Sequence, residues 1–372
     1  MCSVPLKMHG KIRRFLDCEV PLFMWTETPV FKEDLEMICA QACIPWKALQ
    51  SRTVLVTGAT GLIGSQTVSA LLYADQKWSL GLTVLALVRS EEKAKQKFGA
   101  QLAQCPNLHL VVGTVEQLPE IDGPVDYIVH GASPTASAYF VQHPVDTIRT
   151  ATAGTSKLLE LAREKKSAGF VYLSSMEVYG TPSDDAPLPE TAGTTVDTMS
   201  ARNCYPEAKR LCETMCAAYC AQYEVPAMVV RLAQTFGPGV EPDDGRVFAE
   251  FARCARDGRD IVLNTTGESK RCYLYTADAV SAILTLLLAG APGQAYNAAN
   301  AITYCSICEM AEMVAKQVAK PEIQVQIKLN AEKSVKYLPP HHLNLKTDKL
   351  AALGWHPTRD LREMYLRMMQ LM

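Results

Sequence analysis

The chain has 372 residues, a formal net charge of −2 and 48% hydrophobic residues. This length and balance suit a globular protein with one large domain or two fused domains. The near-neutral charge argues against a nucleic-acid-binding surface, and without an apolar run of about 18 residues no membrane-spanning helix is expected.

Residues 1–50 precede the first predicted strand and form an N-terminal extension. Met1–Leu16 lacks the continuous apolar segment of a signal peptide, so a cytoplasmic location is expected. A short helix is predicted over Glu33–Ala42, and Pro45 and Trp46 are expected to end it. Three roles stay open for this extension: capping the sheet, contacting a second subunit, or covering the active site.

From Thr53 onward, apolar runs with strand character alternate with amphipathic helical segments. Strands are predicted at Thr53–Thr57, Thr83–Val88, Leu108–Val112, Tyr127–His130, Phe170–Ser174 and Ala227–Leu232. Helices are predicted at Leu62–Ala74, Glu91–Ala103, Pro144–Lys166 and Pro206–Tyr223. This alternation predicts an α/β fold, a Rossmann-type doubly wound parallel sheet.

Regularity falls after Phe236, where Gly, Pro and Asp cluster in GPGVEPDDGR. We therefore assign residues 51–235 to a dinucleotide-binding Rossmann domain. Residues 236–372 are assigned mainly to a smaller substrate-binding domain, because ligands of such folds bind outside the carboxyl ends of the strands.

The segment TGATGLIG, residues 57–64, places three glycines between the first strand and the first long helix. Gly58 permits a tight turn, Gly61 lets the backbone approach a ligand, and Gly64 permits close packing of the helix. The helix N-terminus then offers free N–H groups to a pyrophosphate. The expected cofactor contacts in this loop are Gly58, Thr60, Gly61, Leu62, Ile63 and Gly64.

The cysteines and histidines do not form a metal-binding pattern. Cys305 and Cys308 form a C-x-x-C pair without a second pair at zinc-ligand spacing. The other cysteines are interpreted as buried free thiols in a reducing compartment. His341 and His342 adjoin each other but lack a third ligand at suitable spacing, so no metal site is expected. His130 is interpreted as a packed strand residue.

Tyr205 and Lys209 stand four residues apart in YPEAKR, so a helix starting near Pro206 places both on one face. A lysine beside a tyrosine favours the phenolate and is expected to lower the tyrosine pKa from about 10. Tyr205 is therefore a candidate general acid and base. The hydroxyls of SSMEVYG, residues 174–180, follow a strand end and are candidates to bridge Tyr205 and a substrate oxygen.

Several spaced motifs together resemble one family. They are VTGATGLIG, HGASPTASAYFVQHPVDTI, SSMEVYG, YPEAKR, TFGPGVEPDDGRV, KRCYLYTADAV and LGWHP. The chain resembles the extended short-chain dehydrogenase/reductases that act on nucleotide sugars, in the NAD-dependent epimerase/dehydratase family, and most closely the UDP-glucuronate decarboxylase branch. The resemblance covers residues 53–361.

The resemblance implies roles for particular residues. The implied catalytic residues are Ser175, Glu177, Tyr205 and Lys209. Further implied cofactor contacts are Ala132, Tyr205 and Lys209. The implied substrate contacts are Ser133, Gln234, Arg246 and Arg271. It also implies a bound NAD, a nucleotide-sugar substrate and a homodimer formed through a four-helix bundle.

The chain departs from the family pattern at several positions. Met176 stands where the dehydratases carry an aspartic acid, so water elimination loses its expected acid. Gly239 replaces an arginine usual in the decarboxylases. Gln234 and Ala151 each replace an asparagine, and Thr114 an aspartate.

Arg89, at the end of the second strand, stands in place of an acidic ribose ligand. An arginine there can accommodate a 2′-phosphate, so NADP stays open beside NAD.

These residues leave three interpretations open. The favoured one is transient oxidation of a sugar at C4 by bound NAD, with decarboxylation of UDP-glucuronate to UDP-xylose or a 4-keto pentose. The alternatives are an NAD(P)-dependent epimerase or reductase on another nucleotide-linked sugar, and a nucleotide-binding protein without turnover, since fold does not imply function.

Overall fold

The computed structural model describes residues 28–134, 137–193, 195–329 and 340–372. Thirteen strands are found within them: β1 (Thr53–Thr57), β2 (Thr83–Val88), β3 (Leu108–Val112), β4 (Tyr127–His130), β5 (Gly169–Ser175), β6 (Ala227–Leu232), β7 (Gln234–Phe236), β8 (Ile261–Leu263), β9 (Lys270–Tyr275), β10 (Ala295–Ala298), β11 (Asn300–Ser306), β12 (Val325–Ile327) and β13 (His342–Leu343).

The α-helices of the described residues are distributed along the whole chain. They are α1 (Pro29–Cys39), α2 (Leu62–Trp78), α3 (Glu91–Gln104), α4 (Ser137–Gln142), α5 (Pro144–Lys165), α6 (Cys204–Tyr223), α7 (Val247–Asp257), α8 (Thr276–Ala289), α9 (Ile307–Met313), α10 (Asp348–Ala351) and α11 (Leu361–Met369). Short 3₁₀ turns occur at Trp46–Leu49, Met176–Tyr179 and Ala201–Asn203, and a π turn at Val314–Val318.

The central element is a seven-stranded sheet in the order β3-β2-β1-β4-β5-β6-β10. All of its neighbouring strands run parallel. The order reverses direction between β1 and β4, which creates a crevice at their carboxyl ends where a dinucleotide binds in folds of this kind. The predicted Rossmann-type parallel sheet is therefore confirmed.

Successive strand residues face opposite sides of the sheet and build two apolar layers. On one side Val54 and Val56 join a core with α2 and α8. On the other, Leu55 joins a core with Leu158 of α5 and Cys212 of α6. Because both faces are covered, the strands are nearly continuous apolar runs, which is why they could be predicted from the sequence.

The polypeptide returns to this sheet after residue 235. Helix α8 packs on β4, β5 and β6, and β10 adds the edge strand beside β6. The remaining late strands form two small sheets, one of β11, β9, β13 and β7 and one of β12 and β8. The assignment of residues 51–235 and 236–372 to separate domains stays a proposal. Helix α8 and strand β10 lie after residue 235 in the chain but belong to the layers of the central sheet.

The described part of the N-terminal extension caps the helical layer of the sheet. Helix α1 contacts α2 and α8, with Phe31 and Ile38 fully buried. The helix spans Pro29–Cys39 rather than Glu33–Ala42, because Pro29 occupies its first turn, where a missing N–H costs nothing. The prediction that Pro45 and Trp46 end it was wrong, since Trp46 opens a separate 3₁₀ turn.

Most predicted element boundaries are close to the observed ones. Helices α2 and α3 end later than predicted, and α1 and α6 begin earlier; α6, for example, starts at Cys204 rather than Pro206. No helix among the residues that the structure describes is long and apolar enough to cross a membrane.

Candidate active site

The glycine-rich loop between β1 and α2 adopts a conformation that a side chain would disturb. Gly58 has a φ of +68°, and a Cβ there would lie 2.9 Å from the backbone of Gly131 and Ala132. A Cβ on Gly64 would lie 2.2 Å from the Gly58 carbonyl oxygen, so this glycine permits contact between helix and loop rather than helix and strand. Gly61 is the exposed N-cap residue of α2.

The other predicted loop residues, Thr60, Leu62 and Ile63, stay partly accessible at the start of α2. The first-turn N–H groups of a helix have no intrahelical partner. The loop therefore combines an open face, free donors and the positive end of a helix dipole, which together fit a dinucleotide pyrophosphate.

Strands β1 and β4 are tied together beside this loop. The Thr57 hydroxyl lies 2.8 Å from His130 Nδ1, and His130 Nε2 lies 3.1 Å from the Thr155 hydroxyl. The Ala132 N–H donates to the same Thr57 oxygen. Burial, with the nearby Lys209 charge, lowers the pKa of His130 to about 3. His130 is therefore a neutral packing residue, as interpreted from the sequence.

The carboxyl end of β5 carries Ser175 and leads into a 3₁₀ turn that presents Glu177. The Ser175 hydroxyl accepts a hydrogen bond from the Glu177 N–H at 3.2 Å. Gly180 ends the turn at a φ of +67°, where a Cβ would lie 2.1 Å from the Thr195 carbonyl oxygen. The turn thus fixes both side chains relative to the strand.

Helix α6 brings Tyr205 and Lys209 to the same edge. Both are buried, and the Tyr205 ring stacks on Phe140 of α4 with centroids 4.3 Å apart. Lys209 Nζ donates to the Leu173 carbonyl at 2.7 Å and lies 5.6 Å from the Tyr205 ring centroid. The four-residue spacing therefore places both side chains on one helix face, as predicted.

The expected lowering of the Tyr205 pKa is not found. Burial raises this pKa well above its usual value, and the Glu177 carboxylate raises it further. Ser175 and Arg246 lower it by smaller amounts. The prediction was wrong because Lys209 points its ammonium at a β5 carbonyl and over the ring, so desolvation of the phenol dominates.

Glu177 is surrounded by two arginines. Burial raises the pKa of its carboxyl group, and the charges of Arg202 and Arg271 lower it in part. The nearest nitrogen of Arg202 lies 3.8 Å from the carboxylate. That same nitrogen is buried without a hydrogen-bond partner, so its contact with Glu177 is an ion pair without a hydrogen bond.

Sequence analysis missed Arg202. It lies in a 3₁₀ turn before α6, outside the predicted helix, so the helical repeat does not indicate which way its side chain points. The available signal was its position three residues before Tyr205. Phe140, which stacks on Tyr205, was missed for the same reason.

Two of the predicted substrate contacts, Arg246 and Arg271, already have a partner within the protein. Arg246, whose charge reaches Tyr205, is already paired with Asp244 at 2.5 Å. The Asp244 side chain in this pair is only 14% exposed. Arg271 on β9 lies 3.4 Å from His341 Nε2, and the partly buried Gln234 begins β7 beside β9.

Two further predicted contacts lie close to the crevice. Ser133 follows β4 and its hydroxyl donates to the adjoining carbonyl of Pro134 at 3.2 Å. Arg89 is exposed directly after β2. Both side chains are accessible to a dinucleotide or a substrate bound in the crevice.

The departures from the family pattern have structural counterparts. Met176 is buried in the core, so no acid occupies that position. Gly239 has a φ of +92°, a backbone conformation that an arginine side chain disfavours. The backbone of the loop after β7 therefore favours glycine at position 239.

Cysteine and histidine groups show no metal-binding geometry within the described residues. No three ligating side chains there converge on one point, and the described cysteines are free thiols, most of them buried. His341 faces Arg271, whereas His342 lies 3.3 Å from Asp185.

A doubly wound sheet with a glycine-rich first loop, and a Ser, Tyr and Lys set at the carboxyl ends of its strands, defines a dinucleotide-dependent enzyme of the short-chain dehydrogenase/reductase type. Residues 54–299 match the model of the NAD dependent epimerase/dehydratase family. The chain belongs to that family.

Known relatives agree with this assignment. The chain is 30% identical over 310 residues to UDP-glucuronic acid decarboxylase 3 of Arabidopsis thaliana, which covers 83% of this chain and 86% of the relative. It resembles the structure of UDP-glucose 4-epimerase of Thermotoga maritima, with a TM-score of 0.70 and 21% identity over 86% of this chain and 98% of that one. UDP-glucuronic acid 4-epimerase of Bacillus cereus gives 0.70 and 19% over the same shares.

Proposed function

We propose that this enzyme binds NAD, modifies a nucleotide sugar by transient oxidation at C4, and decarboxylates UDP-glucuronate. The observation that carries the proposal is the pair of arginines, Arg202 and Arg271, whose charges act on Glu177. Such a site suits a sugar with a carboxylate. The 30% identity to a UDP-glucuronic acid decarboxylase supports the same substrate.

The glycine-rich loop and the end of β4 hold the cofactor in this proposal. Gly58, Gly61 and the first turn of α2 would hold the pyrophosphate, and Ala132 and Arg89 are the further residues that would contact the cofactor. NAD supplies a hydride acceptor that takes a hydride from sugar C4 and later returns it.

The side chains of the site move the protons. Tyr205 takes the proton from the C4 hydroxyl, which Ser175 orients. The raised pKa of free Tyr205 means that its phenolate needs positive charge nearby, from Lys209 and the oxidised cofactor. Oxidation produces a 4-keto sugar, whose ketone accepts the electrons left at C5 when the C5–C6 bond breaks and carbon dioxide leaves.

Glu177 then acts at C5. Burial raises its pKa, which favours a protonated carboxylic acid when a second carboxylate is bound nearby. A proton from Glu177 to the C5 enolate gives a 4-keto pentose, and the returned hydride gives UDP-xylose.

Arg202 recognises the substrate carboxylate in this scheme. The Arg202 nitrogen that pairs with Glu177 makes no hydrogen bond there. In this scheme it turns to the substrate carboxylate and forms the charge-assisted hydrogen bond that Gly239, without a side chain, does not offer. Because the carboxylate loses its charge as carbon dioxide leaves, this contact strengthens substrate binding more than it accelerates the reaction. Arg202→Met should therefore raise KM for UDP-glucuronate more than it lowers kcat.

The test is incubation of the purified, cofactor-loaded protein with UDP-glucuronate, followed by carbon dioxide measurement and mass spectrometry of the nucleotide product. Release of carbon dioxide with formation of a pentose nucleotide is expected. If UDP-glucuronate is left unchanged while a neutral UDP-, dTDP-, CDP- or GDP-sugar is converted, the decarboxylase proposal fails.

In that event the epimerase or reductase alternative takes its place. The loop after β7, with Gly239 in a left-handed conformation, is the observation that favours it, because the usual arginine is absent there. With a neutral sugar, Glu177 would move the C5 proton without loss of carbon.

We also propose a homodimer through α5 and α6. The two helices pack on each other and leave apolar side chains exposed on their outer face: Val145 is 64% accessible, Ile148 42% and Leu211 50%. A second copy of the same two helices would cover this face as a four-helix bundle.

A further inference from the structure

A polar network lies directly behind the proposed catalytic side chains. Its centre is Arg231 on β6, which donates to both carboxylate oxygens of Glu213 on α6, from Nε to Oε1 at 3.1 Å and from Nη2 to Oε2 at 2.7 Å. The side chains of Arg231 and Glu213 are only 14% and 12% exposed. A bidentate pair of this kind is geometrically specific as well as strong.

Three residues of the network lie close in the chain to a proposed catalytic residue. Glu213 is one helical turn beyond Lys209, and it accepts a hydrogen bond from Ser174, the neighbour of Ser175, at 2.5 Å. Arg231 also donates to the Tyr179 hydroxyl at 2.8 Å, and Tyr179 closes the turn that presents Glu177.

The network continues through Tyr179 to the edge strand β10. Tyr179 donates to Asn297 on β10 at 2.8 Å. Asn297 in turn donates to the carbonyls of Leu188 and Lys346, both at 2.9 Å. Ser174, Arg231 and Asn297 are register partners across β5, β6 and β10, so they form one polar row across the end of the sheet.

We infer that Arg231 is a positioning residue, which through Glu213 and Tyr179 sets the distances from Ser175 and Glu177 to Tyr205. Residues on three separate elements must meet at the reacting C4 and C5 atoms. The Arg231 guanidinium contacts Glu213 of α6 and Tyr179 of the turn directly, and Glu213 extends the network to Ser174 of β5. A shift of about 1 Å in such an arrangement can cost about a hundredfold in rate. The inference rests on the proposed C4 oxidation.

The decisive variant is Arg231→Lys, which keeps the charge but cannot form the planar two-pronged contact. We expect kcat to fall by about tenfold or more, with KM for the nucleotide sugar and cofactor occupancy within about twofold of wild type. The rate of cofactor reduction in a single turnover should fall equally. Arg256→Lys is the matched control, because that arginine pairs with Asp257 at the surface.

A merely structural role would lower the melting temperature without changing kcat in the folded enzyme. Folded, cofactor-loaded Arg231→Lys with kcat within twofold of wild type would overturn the inference. Should that variant fail to fold, Tyr179→Phe and Ser174→Ala decide the matter in the same assay, because each removes one hydroxyl from the network.

A structure determination separates this inference from the proposed function. Crystal structures of wild type and Arg231→Lys report the distances from Ser175 and Glu177 to Tyr205 directly. Arg231→Lys should change at least one of these distances by about 1 Å, even if UDP-glucuronate is not the substrate. Unchanged distances in Arg231→Lys contradict the positioning role, whereas an inactive wild type contradicts only the proposed function.

Discussion

Asp34 in the first described helix and Arg367 in the last form an ion pair with a nitrogen–oxygen distance of 2.9 Å. Asp34 is fully buried and also accepts hydrogen bonds from the Tyr275 hydroxyl at 2.8 and 2.9 Å. The pair joins α1 and α11 through β9, the strand that carries Arg271. The described part of the N-terminal extension is thus part of the packed structure.

Asp34→Ala should destabilise the protein strongly, because it removes the buried carboxylate that pairs with Arg367 and leaves the buried Tyr275 O–H without its acceptor. The expected loss is about 3–5 kcal/mol, measured by urea denaturation. Glu33 pairs with the same arginine but is 60% exposed, so Glu33→Gln is the matched control and should cost less than about 1 kcal/mol. Equal effects of the two changes would show that burial of the pair is unimportant.

Gly64→Ala should abolish cofactor binding, because its methyl group would lie 2.2 Å from the Gly58 carbonyl oxygen and force the loop open. The measurement is the amount of dinucleotide that copurifies with the protein. Gly245→Ala meets nothing within 4 Å and should keep normal occupancy. Full occupancy in Gly64→Ala would place the pyrophosphate elsewhere.

Tyr205→Phe should abolish turnover, because no step precedes C4 oxidation in the proposed reaction. Glu177→Gln should instead act after oxidation, so a 4-keto intermediate or reduced cofactor should accumulate. Stopped-flow absorbance of the reduced cofactor distinguishes the two variants. Absence of any reduced cofactor in Glu177→Gln would assign Glu177 to the first step.

Lys209 gives the folded protein a specific alkaline pH dependence. Burial lowers its pKa to about 8, against about 10.4 in the unfolded chain. Between these values the unfolded state binds more protons, so the contribution of Lys209 to stability rises with pH, by on the order of 3 kcal/mol in total. Lys209→Met should remove this rise.

The measurement is the difference in unfolding free energy between wild type and Lys209→Met across this pH range. The difference cancels the titration of other groups. A difference that stays constant, or that moves against wild type as pH increases, would mean that Lys209 is not buried as a charged group.

Val145→Asp or Leu211→Asp should produce a monomer, because either change puts a charge on the apolar face of α5 and α6. Light scattering at micromolar concentration reports the mass. Ile302→Asp is the control, since Ile302 is 78% exposed on β11 and lies away from both helices. A wild type that is monomeric under the same conditions contradicts the dimer.

The sequence by itself determined the Rossmann part of this protein. Strands buried on both faces are continuous apolar runs, and most of them alternate with amphipathic helices, so β1 through β6 could be located with few errors. The loop at residues 57–64 and the pair Tyr205 and Lys209 were found for a related reason. Their geometry depends on local backbone conformation and on the helical repeat.

Only the tertiary structure decided which charges face one another. Arg202 reaches Glu177 across a turn and a strand end, and Arg231 joins α6, β5 and β10, positions far apart in the chain. The environment of Tyr205 was likewise misjudged, because Lys209 turns to the Leu173 carbonyl and Phe140 covers the ring. Local sequence specifies periodicity and turn geometry, whereas desolvation and charge pairing depend on residues that meet only after the sheet has formed.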